Sequence, residues 1–541
     1  MTQKNKTVLP PPCPALPRRP VAARLAKHID QLLFLRAYPP DALTLRRVEK
    51  ALRQATNQAT RIAVRQPAAF EAPEVSGIGG TAFTAIFSYE VARRLAELER
   101  GRVKIDWDNY EIDDRLAPAW RRLFALAEED LAVEAHVPYL EWLQSAAGSP
   151  DRTLEELLLR LHLLPITGRE KADLYATLQL PLRWELGGSP AARTSLPRRT
   201  ARIFYHRGPL ISRSEVSLEK ELCAPPPEVE LVDLETGQAF LNMAVATSAA
   251  RQRELYGFTY GDPATVRRAD LGRGVEVFLC GVPTEWRLPL RAYHAAMIFK
   301  NGVPVGYFET LSLFERMEVG FNIYYTFRGG ESAWIFARLL RLFNQWLGVT
   351  SFSIDPYQIG RDNQEAIDSG AFWFYRKLGF RPAREEILPL LEREECRLRE
   401  KPGYRTPPAI LRKLCVAPLV YDMSGTQQGV WDHFHIRNVA LRLQQRSPAE
   451  AAERVARALR VKVGPHREFI NLALVVDAAP DLEAWPAQDK QAIMNIVRAK
   501  MGAEETEYLR LMRQHRRLRE IFLRLGTQRE PMMASTNPSA V

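Results

Sequence analysis

The sequence predicts a mixed α/β (α+β) protein: a central mixed sheet flanked by helices, set between mainly helical amino- and carboxy-terminal regions. Three observations carry that expectation. From Leu25 to about Leu164 apolar residues recur every three and four positions, as in LTLRRVEKALRQATNQATRIAV, the period of an amphipathic helix. Asn301-Gly302 stands between two apolar runs, and both residues tolerate the positive φ of a tight hairpin turn. Val319, Phe321, Ile323, Tyr325 and Phe327 alternate with Gly320, Asn322, Tyr324 and Thr326, the two-residue period of a strand.

A chain of 541 residues exceeds what one ordinary core fills, so two to four domains are expected. Residues 1–22 are Pro-rich, lack apolar periodicity and read as a disordered arm. Residues 23–230 read as mainly helical, closed by the turn-rich stretch Gly187–Arg199 and the break Ala224–Pro227. Residues 231–385 change character. There a helix from about Gln238 to Leu255 precedes a strand at Val275–Leu279, the hairpin, and the strand Val319–Phe327. Gly329-Gly330 lead into Glu331–Leu347, apolar on nearly all sides and so a buried helix. A strand at Thr350–Ile354 and a helix at Asn363–Leu378 complete this unit. Residues 386–541 return to helix, ending in EYLRLMRQHRRLREIFLRLG, amphipathic with a basic face.

Composition narrows the function classes. Five scattered cysteines without a CxxC pair argue against a disulfide framework and a thiolate zinc site. The longest apolar stretches, such as Trp334–Phe343, are interrupted by Arg338 and Arg341 well short of a bilayer span of ~20 residues. The first twenty residues have no apolar h-region, and cytoplasm is the expected location. The net charge of +11 is spread among 75 basic and 64 acidic residues rather than gathered in a stripe, so no nucleic-acid partner is expected.

The order helix, strand, hairpin, strand, Gly-loop, helix, strand, helix, ending in YRKLGF, resembles the GNAT (N-acetyltransferase-like) superfamily between about Gln238 and Pro382. Two segments carry the resemblance, which covers little more than a quarter of the chain. One is Val319–Leu340, with the loop Arg328-Gly329-Gly330-Glu331-Ser332-Ala333; the other is Ala371–Phe380. The resemblance implies acetyl-CoA or another acyl-CoA as donor, passing its acyl group directly to an amine, without a metal. It implies that Tyr325, Arg328, Gly329, Gly330, Ser332 and Ala333 hold the donor, with backbone N–H groups and the helix dipole facing the pyrophosphate. Tyr375 matches the position that often protonates the departing thiolate. Glu318 lies where some relatives place a base, and Glu309 on the hairpin is its rival. Two departures stand out. Glu331 replaces a glycine of the loop, where a carboxylate facing the phosphates is costly and one pointing away is harmless. Asn363 lies far enough before Tyr375 to read as a helix cap. Two alternatives stay open: a non-catalytic binding or regulatory module, and a transferase of the same fold that uses aminoacyl-tRNA. On the acyl-CoA reading, Ser332→Glu is expected to abolish donor binding and Glu331→Gly to preserve or strengthen it.

Four further features read as structural. Ser76–Thr81 (SGIGGT) has the look of a phosphate-cradling turn but lacks a following Lys, and reads as a helix entry. His433 and His435 share one face of an expected strand without a third metal ligand nearby. Arg513, Arg516, Arg517 and Arg519 read as a solvated helix face. Asp106, Asp108, Glu111, Asp113 and Asp114 read as an acidic face toward water.

Overall fold

A computed structural model describes residues 21–111, 115–123, 128, 130, 139–200, 202–423, 429–462 and 466–527. The Pro-rich arm up to residue 20, and Asp113 and Asp114, lie outside the described residues. A small antiparallel sheet in the amino-terminal region holds β1 (Ala82–Ile86), β2 (Val103–Ile105) and β3 (Pro181–Glu185) in the order β1-β3-β2. The large sheet is built from β4 (Val229–Leu231), β5 (Arg267–Gly272), β6 (Val275–Cys280), β7 (Ala292–Lys300), β8 (Val303–Leu313), β9 (Arg316–Ile323), β10 (Ser351–Ile354), β11 (Arg381–Pro382) and β12 (Leu419–Asp422). Their order is β11-β12-β10-β9-β8-β7-β6-β5-β4, antiparallel throughout except for the parallel pair β9–β10. The sheet is therefore mixed, and β12 reaches into it from well beyond Pro382.

The Asn-Gly turn forms as its residue types require. Lys300 pairs with Val303, and Asn301 and Gly302 take φ of 49° and 80°. Asn301 also ties the turn to the amino-terminal region, donating from Nδ2 to the carbonyls of Ala37 and Phe204 at 2.9 and 3.0 Å.

Each face of the sheet carries a core. The helix Ser332–Leu347 links β9 to β10 and lays Phe336 and Phe343 on Phe308 and Phe321, in a core continuous with the amino-terminal helix Ala22–Ala37 and the carboxy-terminal helices. On the opposite face the helix Leu234–Ala249, started by Asp233 accepting the Thr236 N–H, stacks Phe240 on Phe278 at 5.0 Å. No helix among the described residues is long and apolar enough to cross a membrane.

Several elements differ from the periodicity-based expectation, each for a local reason. β9 stops at Ile323 instead of Phe327: Tyr324 donates to Val305, but the next residue on β8 is Pro304, which has no N–H to extend the ladder. Tyr325–Phe327 form a 3₁₀ turn instead. The expected helix Asn363–Leu378 is two, Gln364–Ser369 and Ala371–Arg376, divided by Gly370 at φ 69°. Ser76–Thr81 leads into the strand β1, not into a helix. His433 and His435 lie in a turn and its exit rather than on a strand.

The basic terminal helix also breaks, at His515, whose Nδ1 accepts the Leu518 N–H at 3.2 Å and so caps the second half. Three of the four arginines singled out in the sequence are matched by carboxylates: Arg519 pairs with Glu315, Arg517 with Asp489 at 2.9 Å, and Arg516 with Glu520 at 3.0 Å. This face offers a polyanion little unpaired charge.

Candidate functional site

The parallel pair β9–β10 is in register only from Ser351↔Arg316 to Ser353↔Glu318. Beyond that point β10 keeps one more pair, Ile354↔Leu419 on β12, and then leaves the sheet. Asp355 accepts the Tyr357 N–H at 2.8 Å, and Pro356 has no N–H to offer the ladder. β9 continues to Ile323 paired with β8 alone. The strands thus part, and a cleft of about 200 Å³ lies against the freed end of β9. Asn322, Arg328, Ser332, Asn363, Glu365 and Tyr375 line it.

The helix Ser332–Leu347 starts at this cleft. Its first N–H groups have no acceptor within the helix, and no side chain caps them. Ser332 Oγ is buried and without a hydrogen-bond partner among the described residues. A buried hydroxyl costs roughly 1–3 kcal/mol when unsatisfied, and this one stands beside the open N–H groups as a further donor. An oxyanion fits that donor set.

The other loop residues are less uniform. Arg328 donates from its guanidinium to Glu365 on the opposite wall at 2.5 Å, with Arg253 3.9 Å from the same carboxylate. That pair is partly exposed, and such pairs contribute about 1 kcal/mol or less. Tyr325 is 80% exposed, with Arg328 over its ring. A Cβ on Gly329 would meet only the Phe34 ring, at 4.0 Å, and could be accommodated. One on Gly330 could not: it would fall 2.4 Å from the Tyr38 hydroxyl. Gly330 therefore answers to packing by the amino-terminal helix rather than to a ligand. Ala333 is buried in the first turn. Asn363 caps its helix, accepting the Ala366 N–H at 3.1 Å, and also faces the cleft.

Glu331 turns away from the cleft. Its side chain is fully buried, held by the Arg273 guanidinium, the Ile211 N–H at 3.1 Å and the Lys300 ammonium at 3.4 Å. Burial alone raises a carboxyl pKa. Here the Arg273 hydrogen bonds and the Lys300 charge outweigh it and hold Glu331 below its ordinary value. Lys300 is lowered to about 8 by burial, against the pull of Glu331. The cluster joins the β5–β6 turn, the end of β7, the amino-terminal region and the loop. No motif predicts it, because its members lie far apart in the chain.

His206 beside this cluster, and His294 on β7, are both lowered to about 4, chiefly by burial and for His206 also by Lys300. The unfolded chain takes up these protons near pH 6.5 and the folded chain only near 4. The folded state gains most above 6.5, and that gain is lost as pH falls toward 4. Urea unfolding at pH 7.5 and at pH 5 should differ by about 2–3 kcal/mol or more, with the acid side weaker. Equal midpoints at the two pH values would contradict this.

Tyr375 sits on the helix Ala371–Arg376, buried, with its ring edge-on to Phe336 and Phe380, and it lines the cleft. Burial pushes its phenol far above the ordinary value, so it keeps its proton at neutral pH. It can donate, not abstract. Glu318 is not in that cleft. It points to the opposite face from Val319 and Phe321, 3.9 Å from Arg291, in a second cavity. Glu309 lies across from Gly320, accepts the Tyr293 hydroxyl at 2.5 Å, and is raised by burial. The nearest side-chain atom to a Cβ built on Gly320 belongs to Gln358, which lines the cleft. Of the two carboxylates, Glu309 has the environment that moves a carboxyl toward base strength at neutral pH. Among the described residues no group of three or more metal-ligating side chains comes together.

Comparison with known protein families, with curated proteins and with solved structures returned no match to this chain.

Proposed function

We propose that the chain is an acyl-CoA-dependent N-acyltransferase, with an acetyl-CoA-type donor in the cleft between the parted strands and direct transfer to an amine. The observation that carries this reading is the uncapped helix start at Ser332, with its unpartnered buried hydroxyl, opening beside the place where β9 and β10 separate. The turn of Glu331 into its own cation cluster supports it, since the loop's one carboxylate leaves the anion position free. When bound, acyl-CoA supplies a thioester carbonyl to attack and a thiolate to release. Ser332, its neighbouring N–H groups and Arg328 hold the phosphates. Tyr375 holds the proton for the leaving sulfur at its phenol oxygen, and Glu309 is the carboxylate best conditioned to receive one from the amine. Glu318, the other candidate base, lines the second cavity and not this cleft.

Isothermal titration of the full chain with acetyl-CoA tests the reading. Wild type should bind, Ser332→Glu should show no detectable heat, and Glu365→Gln should bind more tightly because Arg328 is released. Because the Ser332 hydroxyl is buried, the melting temperature of Ser332→Glu is recorded alongside, and Arg328→Ala, whose side chain is partly exposed, should weaken binding with the melting temperature unchanged. Absence of heat and of a thermal shift with wild type removes the acyl-CoA reading. In that case the non-catalytic alternative, in which Glu365 permanently occupies Arg328, takes its place.

A further inference from the structure

The larger cavity on the other side of the sheet, about 380 Å³, has a lining of one dominant charge. Arg291, Arg316, Arg361, Arg384 and Arg437 converge on it from five separate segments, against only two carboxylates, Glu318 and Asp355. The carboxylates do not neutralise it. Arg291 is 3.9 Å from Glu318, and Asp355 is engaged in capping its own helix. Arg316 spends its donors on the Ser353 hydroxyl at 3.3 Å and the Phe434 carbonyl at 3.1 Å, with its guanidinium over the Phe434 ring. Among the described residues Arg361 has one ion pair, with the exposed Asp362 at 3.9 Å. Arg384 and Arg437 have no ion pair or side-chain hydrogen bond among the described residues.

The adjoining helix points the same way. The helix Ile436–Leu443 begins at this cavity, with His435 at its N-cap and no side-chain cap, so its first N–H groups and the positive end of its dipole add to the arginines. His435 is lowered by burial and then by Arg316 and Arg384, and Arg316 is lowered by burial despite Glu318. Like charges gathered around a concavity repel one another and raise the local concentration of anions. Leu311, Leu313, Val416 and Pro418 give the cavity an apolar side, and its volume falls in the range of small-molecule sites.

We propose that this cavity binds a small molecule carrying an oxyanion group, phosphate or carboxylate, through Arg384, Arg437 and the open start of the helix Ile436–Leu443. The site stands whether or not the cleft on the other face takes acyl-CoA. Its wall includes Glu318 and Ser353, the last paired residues before the strands part. One addition rests on the acyltransferase reading: an anionic amine acceptor enters here, with Glu318 facing its ammonium group.

The test is isothermal titration of the full chain with pyrophosphate and, separately, with citrate, at low and at 0.5 M salt. Wild type is expected to bind at least one probe at low salt, and the responding probe identifies the phosphate or the carboxylate source. R384A/R437A should weaken that binding by about tenfold or more while leaving acetyl-CoA titration and the melting temperature unchanged, since both side chains are exposed. Ser332→Glu should leave anion binding intact. The inference is overturned if neither probe binds wild type, if R384A/R437A binds as wild type does, or if Ser332→Glu rather than R384A/R437A removes the heat. Anion binding without acetyl-CoA binding supports the cavity and removes the acceptor role alone.

Discussion

Tyr375→Phe is expected to lower turnover by roughly 10²–10⁴-fold, the usual scale for one proton-transfer group. The substitution removes a single hydroxyl from a ring whose packing against Phe336 and Phe380 does not depend on it. Stability should therefore fall by about 1 kcal/mol or less. Acetyl-CoA affinity should be unchanged, because a proton delivered to a leaving sulfur matters mainly in the transition state. Slow release of CoA to water provides a rate before an acceptor is found. Burial sharpens the expectation: with its phenol far above the ordinary value, Tyr375 has no ionised form near neutral pH to act as a base. A variant with unchanged turnover, affinity and stability would take Tyr375 out of the mechanism and leave it as a packing ring.

Glu331→Gly or Glu331→Gln is expected to destabilise the protein by about 3–5 kcal/mol, because either change leaves Lys300 buried without its counter-charge. This reverses what the loop motif alone implies, where glycine at 331 completes the pattern and favours the ligand. Denaturant unfolding measures the loss. In the Glu331→Gln background, Lys300→Met should recover part of it, since an apolar side chain replaces the stranded charge. If Glu331→Gly instead unfolds like wild type and binds acetyl-CoA more tightly, the cluster contributes nothing and the motif reading is the right one.

The two predictions separate what is local in this chain from what is not. The hairpin at Asn301-Gly302 was legible because a two-residue turn needs positive φ at both positions, and the residue types alone announce it. The helix beginning at Ser332 was legible because two glycines precede a long apolar run. Asn363 as a cap, and the break in its helix at Gly370, follow from side chains acting within a few residues of themselves, although the apolar period hid the break.

Nothing local told Glu331 which way to turn. Its direction is set by Arg273 and Lys300, which the folded sheet delivers from 58 and 31 residues away. Gly330 is glycine because Tyr38, nearly the whole chain's amino-terminal region away, needs the space. The parting of β9 from β10 depends on where Pro356 takes the second strand out of register, and the alternation of β9 puts Glu318 in a different cavity from Tyr375 although one family resemblance assigned both. Period and turn chemistry act over a few bonds and survive in any context. Charge compensation, close approach and cavities are properties of surfaces that meet only after the chain has folded, so tertiary structure alone decided them.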